Sequence, residues 1–338
     1  MQMRNYDKID FNNLSGEVRH EMLLEMIPKL KRFRHLSGSE GTAYSVGESL
    51  IVKEYDKVAN RDLLDSIFEA YCDESRAFAE KGYLLPQIYA WTKIPAKKSF
   101  LIPTEDRYFV LEEKVKGREL FFGKLEQLYY LFDEEYSYRR FAKILNNPEL
   151  DIKLYHQIVK SYIADFIRVN SFIEAMPESE LEHFIMSIYK MYESAEYSIP
   201  DINRRNVLMT DKGLRIIDNF MAIKTEHSYF GILQPDDFLA SVMILLFRSN
   251  VGVNEIVKKP HIAGTSAQLT VESMIQENQL ICQAAIEKIL RVMKKCLEGR
   301  DINNYRVLHT AYNRLSRILD YQKASKVVSI LNKNYLGM

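Results

Sequence analysis

Residues 201–218 read Asp201-Ile-Asn-Arg-Arg-Asn206-Val-Leu-Met-Thr-Asp-Lys-Gly213-Leu-Arg-Ile-Ile-Asp218. Two short apolar runs on either side of Asp-Lys-Gly predict a β-hairpin, because glycine supplies the positive φ that a tight turn requires. The hairpin would bring the carboxylates of Asp201 and Asp218 together with the amide of Asn206. Phosphoryl transfer from Mg-ATP needs such a set: a carboxylate to orient the attacking hydroxyl and oxygen ligands for the metal. Taken alone, the stretch also fits a surface turn, where Asp and Asn are common.

A pair of glycines and a lysine lie upstream, in the stretches Gly38-Ser-Glu-Gly41 and Ile51-Val52-Lys53. Glycines let backbone N–H groups approach a phosphate, because no Cβ stands in the way. Lys53 follows two apolar residues of a predicted strand, twelve residues after Gly41. A simple turn at the glycines and a surface lysine at position 53 are the alternatives, but the combination is less accidental than either feature alone.

The composition limits the class of protein. Of the 338 residues, 46 are Lys or Arg and 46 are Asp or Glu, so no overall charge indicates a nucleic-acid partner. Gly (13) and Pro (9) are scarce, which favours helix. The three cysteines are far apart and form no CxxC pair, which indicates a reduced, cytoplasmic compartment. The longest apolar run, Phe238–Phe247, is too short to span a bilayer, so we expect no membrane span.

The pattern along the chain predicts an α+β protein in three parts. Residues 1–34 are expected to form an N-terminal extension with a helix over 12–34. Residues 35–116 consist of short predicted strands around one helix at 61–81. Residues 117–338 are mainly helical, apart from the hairpin that precedes Asp218. Within this last part, residues 121–177 contain a single glycine, so we expect helices there rather than a linker.

Taken in order, these segments resemble the protein-kinase-like superfamily: a glycine turn, a strand lysine, D-x-x-x-x-N, a short strand pair and a second aspartate. The resemblance implies a bilobal fold with a small β-rich N-lobe and a large, mainly helical C-lobe, in which 121–177 is a helical insertion. It also implies that ATP binds between the lobes with Mg²⁺ or Mn²⁺. The implied site residues are Gly38, Gly41 and Lys53 for the phosphates, Asp201 for the acceptor hydroxyl, and Asn206 and Asp218 for the metal ion.

The same resemblance implies an ion pair that holds the strand lysine. The partner of Lys53 would be a glutamate on the helix at 61–81, and Glu74 is the first candidate. Glu69 is the second candidate. Either glutamate could instead be an ordinary solvated charge.

The stretch Tyr108-Phe-Val-Leu-Glu-Glu-Lys-Val-Lys-Gly117 resembles the strand that leads into the hinge of kinases. In that family the hinge backbone hydrogen-bonds to adenine. The resemblance therefore implies that the backbone from Glu112 to Val115 binds the base, and that Leu111 is the gatekeeper residue.

Several positions depart from the family pattern. Ile199-Pro200 replaces the usual His-Arg before Asp201, and Asp218-Asn219-Phe220 replaces Asp-Phe-Gly. Asn203 stands where protein kinases carry a lysine. Arg205 could supply the missing positive charge near the γ-phosphate, although an exposed arginine is an equal alternative.

The acceptor is the least determined part of the prediction. A protein hydroxyl is the first choice, because later helices resemble those of protein kinases. A small-molecule hydroxyl is the second, because the 121–177 insertion resembles that of aminoglycoside and choline phosphotransferases. A pseudokinase that binds a partner without transferring phosphate is the third. Late basic residues could dock an anionic or protein activator, with a solvated helix face as the alternative. Remodelled kinases of this sort also occur among proteins delivered into a host cell.

Overall fold

The computed structural model describes residues 6–37, 41–55, 61–95, 106–120, 167–200, 202, 206–221 and 279–298. Its first helix, α1, runs over Gly16–Met26, and the Ser15 side chain caps it by accepting a hydrogen bond from the N–H of Val18 at 3.3 Å. The helix is shorter than the predicted 12–34. A 3₁₀-helix, Ile27–Arg32, follows with Pro28 near its start, where proline removes a backbone donor that an α-helix would use.

The first sheet consists of five strands: β1 Arg34–Ser37, β2 Gly41–Val46, β3 Leu50–Tyr55, β4 Ile88–Ile94 and β5 Arg107–Glu113. They pair antiparallel in the order β1-β2-β3-β5-β4. The tight β2–β3 turn contains Gly47 at φ 81°, a conformation that glycine adopts without strain. Helix α2, Arg61–Glu80, connects β3 to β4, so the helix predicted at 61–81 is confirmed.

Apolar side chains cover both faces of this sheet. One face packs against the leading segment, whose buried residues share one cluster with Val52, Phe109 and Leu111. The other face packs against α2 through Tyr55 and Val110. Residues 1–34 were predicted to be an extension, but their described part supplies core to the sheet. The buried side chains that it contributes are Tyr6, Phe11, Met22, Leu23, Met26 and Leu30.

The remaining described elements include the predicted hairpin. It is formed by β8 and β9, with Gly213 at φ 91° at its turn, and β6 pairs with β8 on the other side. Strand β7 pairs with β10, so that Pro200 lies opposite Asn219. Residues 167–175 are helical, whereas 121–166 lie outside the described residues. The elements are β6 Arg118–Glu119, α3 Glu178–Ser194, β7 Ser198–Pro200, β8 Val207–Thr210, β9 Gly213–Ile216, β10 Asn219–Met221 and α4 Gln279–Leu297.

The described residues fall into two compact units, and the α+β class predicted from the sequence is confirmed. The first unit takes the residues within Met1–Gly117, Lys190–Asp201 and Arg215–Ile232. The second takes those within Arg118–Tyr189, Ile202–Leu214 and Leu233–Met338. The first unit thus contains the five-stranded sheet together with β7 and β10. No helix in the described part of the chain is both long and apolar enough to cross a membrane.

Candidate functional site

The register of the first sheet decides which side chains lie beside Lys53. Lys53 of β3 is opposite Val110 of β5, and Val52 is opposite Leu111. Because side chains alternate between the faces of a strand, Glu112 lies on the same face as Lys53 and Val110. Leu111 lies on the other face, fully buried in the cluster that packs against α1. The expected gatekeeper therefore does not face Lys53, and Glu112 does.

Three residues form what we call the lysine cluster: Lys53, Glu112 and Asp218. The Lys53 Nζ lies 3.0 Å from Glu112 Oε1 and 2.9 Å from Asp218 Oδ1. It also donates to the carbonyl oxygen of Ile217 at 3.0 Å. An ammonium group has three N–H donors, so every donor of Lys53 has an acceptor.

The two carboxylates of the cluster differ in exposure and in acidity. The side chain of Glu112 is 8% exposed and that of Asp218 is 38% exposed. Burial raises the pKa of Glu112 to about 7, and the attraction of Lys53 offsets only part of that rise. Burial by itself lowers the pKa of Lys53, but Asp218 and Glu112 outweigh it, so that the net pKa is raised and the ammonium stays charged.

Asp218 reaches Lys53 because the chain around it is tied to the first sheet. The N–H of Ile216 donates to the carbonyl of Leu84 at 2.9 Å. Arg215 holds both carboxylate oxygens of Glu113, at 2.9 and 3.0 Å, and donates to the Leu85 carbonyl at 2.7 Å. A forked arginine contact of this kind fixes orientation as well as distance.

A small cavity of about 20 Å³ adjoins the lysine cluster. That volume corresponds to about one water molecule. Its wall combines the three charged side chains of the cluster with hydroxyl groups from α2. The lining residues are Lys53, Tyr71, Ser75, Leu85, Pro86, Ile88, Glu112, Ile217, Asp218 and Asn219.

Glu74 does not form the ion pair that was predicted for it. Its Oε1 accepts the N–H of Glu196 at 2.8 Å, and its Oε2 accepts those of Tyr197 and Ser198 at 2.7 and 2.5 Å. These amides follow the end of α3, where the chain has no helical acceptor for them, and a carboxylate supplies one. We call this arrangement the Glu74 cap. Glu69, the second candidate, is exposed.

A neutral network adjoins the Glu74 cap and joins α2 to both strands of the β7–β10 pair. The Oγ atoms of Ser75 and Ser198 lie 2.6 Å apart. Asn219, the residue after Asp218, donates from Nδ2 to Ser198 Oγ at 2.7 Å. All three side chains are buried. In this chain, therefore, a polar side chain fixes the residue beside Asp218 to helix α2.

Gly41 is required by the close approach of β2 and β3. A Cβ at this position would lie 2.0 Å from the carbonyl oxygen of Glu54, so any side chain would displace the backbone. This packing accounts for the glycine independently of any phosphate. Gly38, the other glycine of the predicted loop, lies outside the described residues.

The structure says less about the roles of the other predicted site residues. Val115 is half-buried in the segment after β5, and Asn206 is half-buried just before β8 in the second unit. Asp201 and Arg205 lie outside the described residues, so their roles stay predictions. Among the described residues there is no group of three or more His, Cys, Asp or Glu side chains placed to hold a metal ion.

Three of the late basic residues that could dock an anionic activator, Lys288, Arg291 and Lys295, have partners within the second unit. Lys288 Nζ donates to the carbonyls of Ile173, at 3.3 Å, and Met176, at 2.7 Å, and also to that of Glu174. Arg291 pairs with Glu178, and Lys295 with Glu182, at 2.5 and 2.6 Å. These three side chains therefore join α4 to the helical region around residues 173–182.

Solved kinase structures are among those similar to this chain. The Lpg2603 kinase of Legionella pneumophila, solved with IP6 bound, is 12% identical over 85% of this chain and 81% of its own, with a TM-score of 0.32. An aminoglycoside phosphotransferase from Alicyclobacillus acidocaldarius is 11% identical, over 90% of this chain and 93% of its own, with a TM-score of 0.30. The MAP kinase LmaMPK10 from Leishmania major is 10% identical, over 95% and 100%, with a TM-score of 0.29. No family model matches the chain, and no curated protein sequence does either.

Proposed function

We propose that this chain is a kinase-like phosphotransferase that moves the γ-phosphate of ATP to a hydroxyl group. The observation that supports the proposal is the contact between Lys53 and Asp218. These residues are 165 positions apart, yet Lys53 Nζ and Asp218 Oδ1 lie 2.9 Å from each other. A lysine for phosphates beside a carboxylate for the metal is the pairing that phosphoryl transfer requires.

Each proposed residue has one task. Lys53 binds phosphate oxygens of ATP, and Asp201 orients the acceptor hydroxyl. Arg205 supplies further positive charge near the transferred group. The rate enhancement comes from positioning and from stabilising charge, because little covalent chemistry falls to the protein.

The residues present fit a magnesium or manganese ion held jointly with ATP. Mg²⁺ prefers oxygen ligands and is often bound by one or two carboxylates together with substrate phosphates, so a cluster of three acidic residues is not needed. The Asp218 carboxylate is 38% exposed and can be reached from solvent. Asn206 would add an amide oxygen. When bound, the ion neutralises negative charge on the phosphates.

The residues that contact adenine and the kind of acceptor are proposed from the sequence. The backbone from Glu112 to Val115 would contact the base, and the glycines Gly38 and Gly41 would lie near the phosphates. A protein hydroxyl is the preferred acceptor, and a small-molecule hydroxyl is the alternative on account of residues 121–177.

Incubation with γ-labelled Mg-ATP, alone and with a cell lysate, tests the proposal. Label on this chain or on lysate proteins supports a protein kinase, and label in small molecules alone supports the second acceptor class. Asp218→Ala is the matched inactive control, which should leave no label in either fraction. Binding of Mg-ATP without transfer to any acceptor would mean a pseudokinase, and transfer by Asp218→Ala at the normal rate would overturn the metal assignment.

A further inference from the structure

The two glutamates of α2 that were candidate partners of Lys53 are found in other surroundings. Glu74 accepts three backbone N–H groups at 2.5–2.8 Å, which uses both of its oxygens. Glu69 is exposed. For Glu74 to reach Lys53, the amides of residues 196–198 would lose their acceptor, which is costly for Ser198, a buried residue, and less so for the half-buried Tyr197.

Strand β5 supplies a carboxylate that needs no such exchange. Glu112 follows Val110, the cross-strand partner of Lys53, by two residues, so that its side chain rises on the same face. Its Oε1 lies 3.0 Å from Lys53 Nζ. Both residues belong to hydrogen-bonded strands of one sheet, and rigid elements of this kind hold a site more accurately than loops.

Exposure distinguishes the two acidic partners of Lys53. Glu112 is 8% exposed and lies within the sheet, whereas Asp218 is 38% exposed. A phosphate oxygen that binds Lys53 has to take the position of one present acceptor, because all three donors of the ammonium are in use. Asp218 is the acceptor that solvent and a ligand can reach, and Glu112 is the one that stays.

We infer that Glu112, rather than a glutamate of helix α2, is the residue that positions Lys53 for the nucleotide phosphates. This inference rests on the proposed function. The buried carboxylate keeps the ammonium charged and fixes its direction, while the Asp218 position is exchanged for phosphate. Glu112 is a positioning residue in this respect, since its side chain acts through Lys53 and not on the nucleotide.

Four variants of the full chain test the inference: Glu112→Gln, Glu74→Gln, Glu54→Gln and Lys53→Met. Glu54 is a matched control, because it is also a buried carboxylate on this sheet but lies on the opposite face. It accepts from Arg107 Nε at 2.6 Å and from the Tyr44 hydroxyl at 2.8 Å. The Kd for Mg-ATP is measured by calorimetry, below the unfolding midpoint of every variant.

The expected result is that, above pH 7, Glu112→Gln weakens ATP binding about tenfold or more, since a neutral amide replaces the ionised carboxylate beside Lys53. Glu74→Gln and Glu54→Gln should stay within about twofold of the unmodified chain, whatever stability they lose. Weakened binding in Glu74→Gln with normal binding in Glu112→Gln would overturn the inference.

The Lys53→Met variant separates this inference from the proposed function. If Lys53→Met no longer binds ATP while Glu74→Gln and Glu112→Gln both bind ATP with normal affinity, the inference fails and the proposed function stands. If Lys53→Met binds ATP normally, the proposed function itself fails. Should Glu112→Gln not fold, Glu112→Asp replaces it, because the shorter side chain draws the carboxylate away from Lys53. Unchanged ATP affinity in Glu112→Asp would also overturn the inference.

Discussion

Two acidic regions of the first unit, the lysine cluster and the Glu74 cap, use carboxylates in opposite ways. In the lysine cluster, Glu112 and Asp218 converge on one ammonium group, so charges are concentrated. In the Glu74 cap, a single carboxylate is shared among three backbone amides, without a cation from the described part of the chain. The first arrangement can exchange a partner for a ligand. The second holds the chain after α3 to helix α2, and both oxygens of its carboxylate are used by backbone N–H groups.

This difference shows that the position of a glutamate in the sequence is not enough to predict which group it will bond to. Glu74 and Glu112 were both predicted to serve the nucleotide, the first by its side chain and the second by its backbone. In the structure, Lys53 pairs with Glu112, and Glu74 accepts hydrogen bonds from backbone amides. Changes confined to one region should therefore alter activity, and changes confined to the other should alter stability.

The largest effect is expected from Lys53→Met in the lysine cluster. Loss of the ammonium should lower kcat/KM for ATP by at least about 100-fold, the range found when a preorganised donor is removed from a catalytic site. Lys93→Met is the matched control, because Lys93 pairs with Asp106 at a more exposed position on β4. Steady-state kinetics on both variants check this, and an equal loss in the two would contradict a specific role for Lys53.

In the Glu74 cap, Glu74→Ala should destabilise the fold by about 2–3 kcal/mol, because three amides, two of them partly buried, lose a charged acceptor. Urea denaturation measures the free energy of unfolding. Glu69→Ala, an exposed change on the same helix, should stay within about 0.5 kcal/mol. The distinction between the two regions would fail if folded Glu74→Ala retained full stability but lost ATP binding.

A smaller loss of stability is expected when the neutral network beside the cap is cut. Ser198→Ala removes the contacts of one hydroxyl with Ser75 and Asn219, and should cost about 1–2 kcal/mol. Thermal unfolding of this variant and of Ser194→Ala provides the comparison, because the Ser194 hydroxyl only donates to the exposed end of its own helix. Equal changes in the two midpoints would argue that the network contributes nothing.

The last expected effect is a pH dependence confined to Glu112. Its folded pKa is raised to about 7 from an ordinary 4.5, so between these values the folded chain holds a proton that the unfolded chain has released. Stability from this group is therefore greatest below pH 4.5 and falls as the pH rises to about 7. The difference in unfolding free energy between the unmodified chain and Glu112→Gln should fall by about 1.4 kcal/mol per pH unit within this window, or about 3 kcal/mol across it. A difference that does not vary with pH would contradict the raised pKa.

Local patterns in the sequence determined most of the described secondary structure. Helix α2, the hairpin turns at Gly47 and Gly213, and helix α3 over Glu178–Ser194 follow from apolar periodicity and from turn chemistry, which act over a few residues. The leading segment was assigned its helix but not its place in the core. Helical periodicity shows that a face is apolar, and it does not say which sheet covers that face.

The side-chain role of Glu112 was missed, although the sequence contains a signal for it. Glu112 ends the apolar run Tyr108-Phe-Val-Leu, and a carboxylate within a buried strand is rarely left without a partner. Finding that partner requires the register between β3 and β5. A shift of one residue would have turned Glu112 to the face of Leu111 and brought another side chain beside Lys53.

The sequence by itself determined that this chain has a strand lysine, a hairpin and an aspartate after it, in the order of kinase-like proteins. Only the tertiary structure decided that Lys53 bonds to Glu112 and Asp218, and that Glu74 bonds to backbone amides. The physical reason is the separation along the sequence over which each kind of interaction acts. Turn and helix preferences depend on neighbouring residues, whereas the choice among several carboxylates for one buried ammonium depends on strand register and on which backbone amides lack acceptors.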